Sequence, residues 1–192
     1  MKSIRVLTLA ALVLPLALAA QQPVANPITA AFKAAGTNNA RLLMAAFDSI
    51  PASKYGYNPT PAQLTIGYIA QHLESANYQL CAVFGGMKWN LTATDSLADT
   101  VKAQWPKDTL TARLKASFAF CESAMATVDD AKLADAVPVG PPAANRTVIR
   151  ARYVLGYVTD LVDHYSQIAN YMRLNNMVPP SALPRPGARG GN

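Results

Sequence analysis

Four long stretches of this chain repeat their apolar residues every three to four positions, and Pro or Gly residues separate each stretch from the next. The stretches cover residues 26–49, 60–84, 108–128 and 145–176. Such spacing places the apolar side chains on one face of an α-helix. Alternating runs and clusters of β-branched residues, which are typical of strands, are few. The pattern therefore predicts an all-α fold in which four amphipathic helices pack as a four-helix bundle.

Breaking and capping residues predict where these helices begin and end. Thr60 followed by Pro61 is typical of a helix start, and Gly85–Gly86 is typical of a helix end. The first helix could be interrupted at Gly36. A long connection joins the second and third helices and contains a short helix around residues 96–103. A connection of this length favours one crossover instead of simple up-and-down winding.

The two ends of the chain are predicted to lie outside the bundle. Residues 1–20 resemble a secretory signal peptide, because Lys2 and Arg5 precede an apolar run, too short to span a membrane, and a small-residue cleavage site. We therefore expect an exported protein, periplasmic or secreted, without stable membrane insertion after the signal is cleaved. Residues 179–192 are rich in Pro and Gly, which is typical of a flexible tail. Residues 21–178 have the length of one domain.

The basic character of the chain comes largely from these ends. The formal net charge is +6, from 17 basic and 11 acidic side chains. Lys2, Arg5, Arg185 and Arg189 all lie in the ends, so the body retains a charge of only +2. A nucleic-acid-binding protein needs clustered basic residues on one face. The charge distribution therefore argues against a nucleic-acid partner.

The chain contains only two histidines, and both fall on the inward face of a predicted helix. His72 lies on the second helix, and His164 lies on the fourth. Asp160 precedes His164 by four positions, so the two share one helix face. Two imidazoles and a carboxylate are a suitable ligand set for a divalent metal such as zinc or nickel. The alternative is a pair of hydrogen-bonded core histidines and a simple helix contact.

Neighbouring residues on the fourth helix could assist or replace these ligands. Asp163 is a rival for Asp160, but an adjacent residue points about 100° away on a helix. Tyr157, Tyr165 and Gln167 are candidates for contacts that support the ligands. The residues thus predict a metal site of His72, Asp160 and His164, without identifying catalytic residues.

Three motifs resemble those of the DinB-like family over roughly residues 47–180. They are YNPTPAQ at residues 57–63, HLESANY at 72–78 and HYSQIANYMR at 164–173, followed by Pro179–Pro180. The resemblance implies a helical bundle with three histidine ligands for a divalent metal, one on the second helix and two on the fourth. His72 and His164 match two of them. Asp160 departs from the pattern, because the resemblance implies a histidine there.

The resemblance also implies expectations about activity. DinB-like proteins of known activity include thiol-dependent transferases and isomerases, and members often pair through helix faces. We therefore expect an exported metal-binding bundle, either a metal-dependent hydrolase or a thiol transferase acting on an unidentified small molecule, and a homodimer is compatible with this. The alternative is a non-catalytic binding or structural bundle that has lost the metal.

Cys81 and Cys121 are the only cysteines, and each lies on a predicted helix. In an exported protein an even number of cysteines favours a disulfide, here between the second and third helices. The alternative is a pair of buried thiols that pack as small apolar side chains. No CxxC or CxxCH motif is present, which argues against redox and c-type haem functions.

Overall fold

The computed structural model describes residues 24–140, 143 and 145–184. The predicted signal peptide and residues 185–192 of the predicted tail lie outside the described residues. The described helices are α1 (Pro27–Ser49), α2 (Ile66–Gly85), α3 (Asp99–Lys102), α4 (Lys107–Ala126) and α5 (Arg150–Leu174). Four of them are long and pack around a common core, which confirms the all-α prediction.

The long connection between α2 and α4 joins two parallel helices. Cys81 near the end of α2 is bonded to Cys121 near the end of α4. The hydroxyl of Thr127, just after α4, also donates a hydrogen bond to the carbonyl of Gly85 at the end of α2. Parallel neighbours require the chain to cross the length of the bundle between them. The predicted long connection and its crossover are therefore present, with α3 inside it.

The other helix pairs follow from contacts at their ends. Lys107 at the start of α4 donates to the carbonyls of Asp48 and Ile50 at the end of α1, so α1 and α4 are antiparallel. Arg150 at the start of α5 donates to the carbonyl of Phe84 at the end of α2, so α2 and α5 are antiparallel. Helix α5 thus lies beside α2, although the two are distant in sequence.

The disulfide between Cys81 and Cys121 confirms the predicted pairing. Both side chains are fully buried, and their Cα atoms lie 5.2 Å apart. A bridge across a sequence separation of 40 residues restricts the unfolded chain and contributes about 4 kcal/mol in the loop-entropy model. The bond therefore fixes α2 against α4.

Two predicted helix starts are wrong. Helix α2 begins at Ile66, where the Thr65 hydroxyl accepts a hydrogen bond from the Tyr68 amide at 3.1 Å, and Thr60–Pro61 lies in the preceding loop. Helix α5 begins at Arg150, not near residue 145. The preceding residues form a strand whose β-branched side chains favour extended backbone.

That strand belongs to a small hairpin that the sequence did not predict. Strand β1 (Ala136–Val139) pairs antiparallel with β2 (Arg146–Ile149), and Val137 lies opposite Val148. Asn145 enters β2 with a positive φ of 44°, a conformation that Asn tolerates better than most residues. The hairpin closes the end of the bundle where α4 passes to α5.

Helix α1 is continuous through Gly36, so the expected interruption is absent. Gly36 is buried, and a Cβ atom there would lie 3.0 Å from the Tyr157 ring. The glycine is therefore a point of close approach between α1 and α5.

The first part of the segment expected to be a flexible tail is ordered. Pro180–Ala182 forms a 3-10 turn, Pro179 is buried, and the Ser181 amide donates to the Tyr165 hydroxyl at 2.8 Å.

None of the helices in the described part of the chain combines the length and hydrophobicity that a bilayer-spanning segment needs.

Candidate metal centre

Helices α2 and α5 bring the three predicted ligands together. His72 Nε2 lies 3.9 Å from Asp160 Oδ1, and His164 Nε2 lies 3.6 Å from the same oxygen. The two imidazole rings meet edge to face, with centroids 4.9 Å apart. One donor atom from each residue lies within 4.8 Å of the other two. The predicted residues therefore form one cluster, built from two helices that the sequence places far apart.

The cluster is buried on the α5 side and open on the α2 side. The side chains of His164 and Asp160 are 9% and 25% exposed, whereas that of His72 is 38% exposed. His164 follows Asp160 by one turn on the buried face of α5. The cluster is therefore most open to a small molecule on the His72 side.

A chain of hydrogen bonds orients the His164 ring. The Tyr171 hydroxyl donates to the Leu64 carbonyl at 3.2 Å, so its oxygen accepts from Gln167 Nε2 at 3.1 Å. Gln167 Oε1 then accepts from His164 Nδ1, also at 3.1 Å. This arrangement puts the His164 proton on Nδ1 and leaves the Nε2 lone pair directed at the cluster. Metal-bound histidines commonly have such a second contact.

The donor set fits a divalent metal. Two donor atoms of one tetrahedral zinc lie about 3.4 Å apart, since the bonds are about 2.0–2.2 Å long. The observed separations of 3.6 and 3.9 Å are slightly longer than this and exceed a good hydrogen bond. Asp160 Oδ2 is buried and has no hydrogen-bond partner among the described residues. A buried carboxylate oxygen needs a partner, and a cation would supply one.

The acidic groups around His72 favour its protonated form. Interaction with the Asp160 carboxylate raises the pKa of His72 above its usual value, burial opposes this, and the charge of Asp99 adds to the increase. A proton and a cation compete for the same imidazole nitrogen. The cluster therefore attracts positive charge even before a metal is considered.

A sequence profile of the DinB superfamily matches residues 36–168, well over half of the chain. This chain belongs to the DinB superfamily. The matched region contains all three residues of the cluster and the disulfide. No curated protein sequence matches the chain significantly.

Two solved structures share the fold of this chain. A DinB-like protein from Bacillus cereus has 16% identity and a TM-score of 0.58, with 78% of this chain and 93% of that one covered. A conserved protein from Enterococcus faecalis has 14% identity and a TM-score of 0.60, with 77% and 96% covered. At these identities the similarity shows the fold alone.

A third solved structure with a similar fold is that of an enzyme. It is a mutant of mycothiol-dependent maleylpyruvate isomerase, with 13% identity and a TM-score of 0.56. The alignment covers 73% of this chain and 60% of the isomerase, so the isomerase contains a substantial part that this chain does not match.

The crossover connection of this DinB-superfamily chain forms one wall of a cleft beside His72. The cleft has a volume of about 620 Å³. Helix α2 contributes His72, Ser75 and Gln79, and the connection contributes Trp89 and Lys102. Trp89 stacks on Tyr78 with ring centroids 5.0 Å apart.

Buried charges hold the connection against the bundle. The Lys102 ammonium, 4% exposed, pairs with Asp99 at 2.9 Å and donates to Ser75. Arg113 of α4 pairs with Asp95 of the connection and, at 2.8 Å, with Glu74 of α2. The Arg113 guanidinium also lies 5.0 Å from the centre of the Trp105 ring. These contacts fix the wall of the cleft.

The structure separates the other sequence candidates. Gln167 contacts His164 as expected of a supporting residue, whereas Asp163 is exposed. Tyr157 faces α1 and α4, away from the cluster, and Tyr165 binds the Ser181 amide.

Sequence reasoning missed Tyr171 as the residue that orients Gln167. The spacing of four residues between Gln167 and Tyr171 was the available signal. The Leu64 carbonyl, which accepts the last hydrogen bond of this series, lies in a loop that the spacing does not predict.

Proposed function

We propose that this chain is an exported, metal-dependent enzyme of the DinB superfamily in which His72, Asp160 and His164 hold one divalent ion. The main support is the buried Asp160 Oδ2, which has no partner among the described residues although two imidazoles converge on the same carboxylate. Zinc and nickel both suit this donor set. Such an ion, when bound, polarises a substrate oxygen or lowers the pKa of a bound water toward neutrality.

Each residue of the cluster has a distinct task in this proposal. Asp160 supplies negative charge that partly neutralises the ion. His164 is held with its Nε2 lone pair toward the cluster by Gln167. His72 forms the exposed side, so a substrate in the 620 Å³ cleft reaches the cluster next to it. The substrate is accordingly a small molecule that fits between α2 and the crossover connection.

Hydrolysis is the reaction that we favour. The disulfide between Cys81 and Cys121 is typical of oxidising compartments outside the cytosol, which supports export. Hydrolysis needs only water as its co-reactant, whereas thiol transfer needs a low-molecular-weight thiol. The fold similarity to a mycothiol-dependent isomerase is the observation in favour of thiol-dependent chemistry, which is the second candidate.

Metal content is the first test. Elemental analysis of the purified mature protein should find about one zinc or nickel ion per chain, and His164→Ala and Asp160→Asn should lose it. Asp163→Asn is the matched control, because it removes an exposed carboxylate of the same helix and should retain the metal. A metal-free wild-type protein that also fails to bind added zinc or nickel would contradict the proposal.

Activity then separates the two reactions. The metal-loaded protein should hydrolyse members of a panel of small esters, amides and lactones in water alone, and the chelated protein should not. Turnover that appears only when a thiol such as cysteine or glutathione is added would overturn hydrolysis in favour of thiol transfer.

A further inference from the structure

A second cleft lies across the bundle from the metal centre, between α1 and α4. Its volume is about 250 Å³, at the small end for a ligand site. Small residues of α1, Gly36 and Ala40, form one side, and Phe118 and Met125 of α4 form the other. The ring of Tyr157 from α5 closes the base. The cleft shares no lining residue with the metal centre or with the cleft beside it.

Tyr157 presents an unbonded hydroxyl to this cleft. The residue is 4% exposed, and its hydroxyl makes no hydrogen bond to any of the described residues. Burial, and to a smaller extent the charge of Glu122, raises the pKa of this phenol far above its usual value. The hydroxyl therefore remains protonated and able to donate. The hydroxyl oxygen itself is not fully buried, so water or a ligand in the cleft can reach it.

Gly36 leaves the room in front of the Tyr157 ring. A Cβ atom at this position would lie 3.0 Å from Tyr157 Cε1 and 3.8 Å from the hydroxyl oxygen. Helix α1 continues through this position, so the glycine is not required for a turn. Because glycine has no side chain, α1 can lie close to the Tyr157 ring and the hydroxyl stays accessible from the cleft.

The charges at the rim favour no strongly charged occupant. Lys33 and Lys115 lie at the rim together with Glu122, so both signs are present. Most of the exposed surface of the cleft is nevertheless apolar, and Tyr157 offers one donor. We propose that this cleft binds a small, uncharged, mainly apolar molecule whose carbonyl oxygen accepts a hydrogen bond from the Tyr157 hydroxyl.

Three matched probes test this assignment on the mature protein. 2-Acetonaphthone carries the carbonyl, 2-ethylnaphthalene has nearly the same shape without the oxygen, and 2-naphthoate adds a negative charge. Binding is measured by saturation-transfer NMR and isothermal titration. The ketone should bind saturably and about threefold to tenfold more tightly than the hydrocarbon, as one hydrogen bond to a neutral donor provides. The carboxylate should bind no better than the ketone.

Variants then locate the bound molecule. Tyr157→Phe keeps the ring and removes the donor, so it should abolish the preference for the ketone over the hydrocarbon. Gly36→Ala should weaken both probes, because its methyl group meets the Tyr157 ring. Tyr153→Phe on the same helix is the control for the tyrosine change, and His164→Ala is the control for the metal centre; both should leave the preference unchanged.

Two results would overturn the assignment. One is the absence of saturable ketone binding to the wild-type protein. The other is a preference for the ketone that persists in Tyr157→Phe, provided that circular dichroism shows this variant to be folded. Because the His164→Ala control does not depend on a metal, the outcome is independent of the proposed enzymatic function.

Discussion

At the scale of single residues, Asp160 occupies the position where the family resemblance implies a third imidazole. An aspartate side chain is shorter than a histidine, yet its Oδ1 lies 3.6 and 3.9 Å from the two imidazole nitrogens. The shorter reach suffices because α2 and α5 are direct neighbours in the bundle. A carboxylate at this position makes the proposed ligand set negatively charged, which favours a divalent cation.

Gln167 should control metal affinity without being a ligand. Gln167→Met removes the acceptor that fixes the His164 ring, and contacts of this kind are worth about tenfold to a hundredfold in metal affinity. We expect a loss in that range in chelator-competition titrations with zinc, with the thermal stability of the metal-free protein little changed. Ser166→Ala, an exposed neighbour, is the control. An unchanged zinc affinity in Gln167→Met would show that His164 needs no orienting partner.

Helical spacing alone predicts only the part of the cluster that lies on one helix. The spacing of Asp160 and His164 places them together on any α-helix, whatever the rest of the fold does. His72 joins them only because α2 and α5 pack side by side, which periodicity alone does not determine. The contact from Tyr171 to the Leu64 carbonyl depends on the path of a loop, and no spacing rule predicts that.

At the scale of elements, the crossover connection depends on Arg113 for its position. This side chain neutralises two carboxylates, Glu74 and Asp95, whose side chains are 4% and 8% exposed. Removing one partner of a buried pair leaves uncompensated charge, which commonly costs 3–5 kcal/mol. Because Arg113 itself is 27% exposed, we expect Arg113→Met to lower the free energy of unfolding by a smaller amount, about 2 kcal/mol at pH 7.

The effect of Arg113→Met should shrink in acid. Burial acts to raise the pKa of Asp95, but hydrogen bonds from Thr92 and the charge of Arg113 outweigh it, and the net pKa is lowered. A lowered folded-state pKa means that Asp95 stabilises the fold above its unfolded pKa and loses this as pH falls through the folded value. Burial raises the pKa of Glu74, so Glu74 takes up its proton first.

Urea unfolding at pH 7, 5 and 3 measures this pH dependence. The difference between the wild-type protein and Arg113→Met should decrease at each step toward pH 3, as the two carboxylates lose their charge. Lys132→Met disrupts an exposed ion pair with Asp129 and should change stability by well under 1 kcal/mol at every pH. A constant difference between wild type and Arg113→Met would mean that lost packing, for example on Trp105, explains the whole effect.

The same scale shows why helix ends were harder to predict than helices. The Thr60–Pro61 pair satisfies the local rule for a helix start, but the Asn58 side chain donates to the carbonyls of Thr60 and Gln63 and stabilises a loop there. Gly67 then lies so near the Ala103 carbonyl that a Cβ atom would be 2.4 Å from it. Tertiary contacts of this kind override a local capping signal. The periodic apolar residues of each helix still predict that the helix exists.

At the scale of the whole molecule, the crossover determines which helices can share a site. Since α2 and α4 are parallel and joined by the disulfide, α5 returns along the open side of α2 and brings Asp160 and His164 to His72. Helices α1 and α4 form the opposite edge, where the Tyr157 cleft lies. The proposed metal would therefore link α2 to α5, whereas the disulfide links α2 to α4.

Metal binding should consequently stabilise the whole bundle. A ligand that binds only the folded state adds RT ln(1 + [L]/Kd), or about 2.7 kcal/mol at a free concentration of one hundred times Kd. The melting temperature of the wild-type protein should rise with zinc concentration, whereas that of His164→Ala should not. The disulfide lies elsewhere on α2, so a Cys81→Ala and Cys121→Ala double variant should start from a lower melting temperature yet gain similarly from zinc. A rise of equal size in His164→Ala would place the bound zinc outside the cluster.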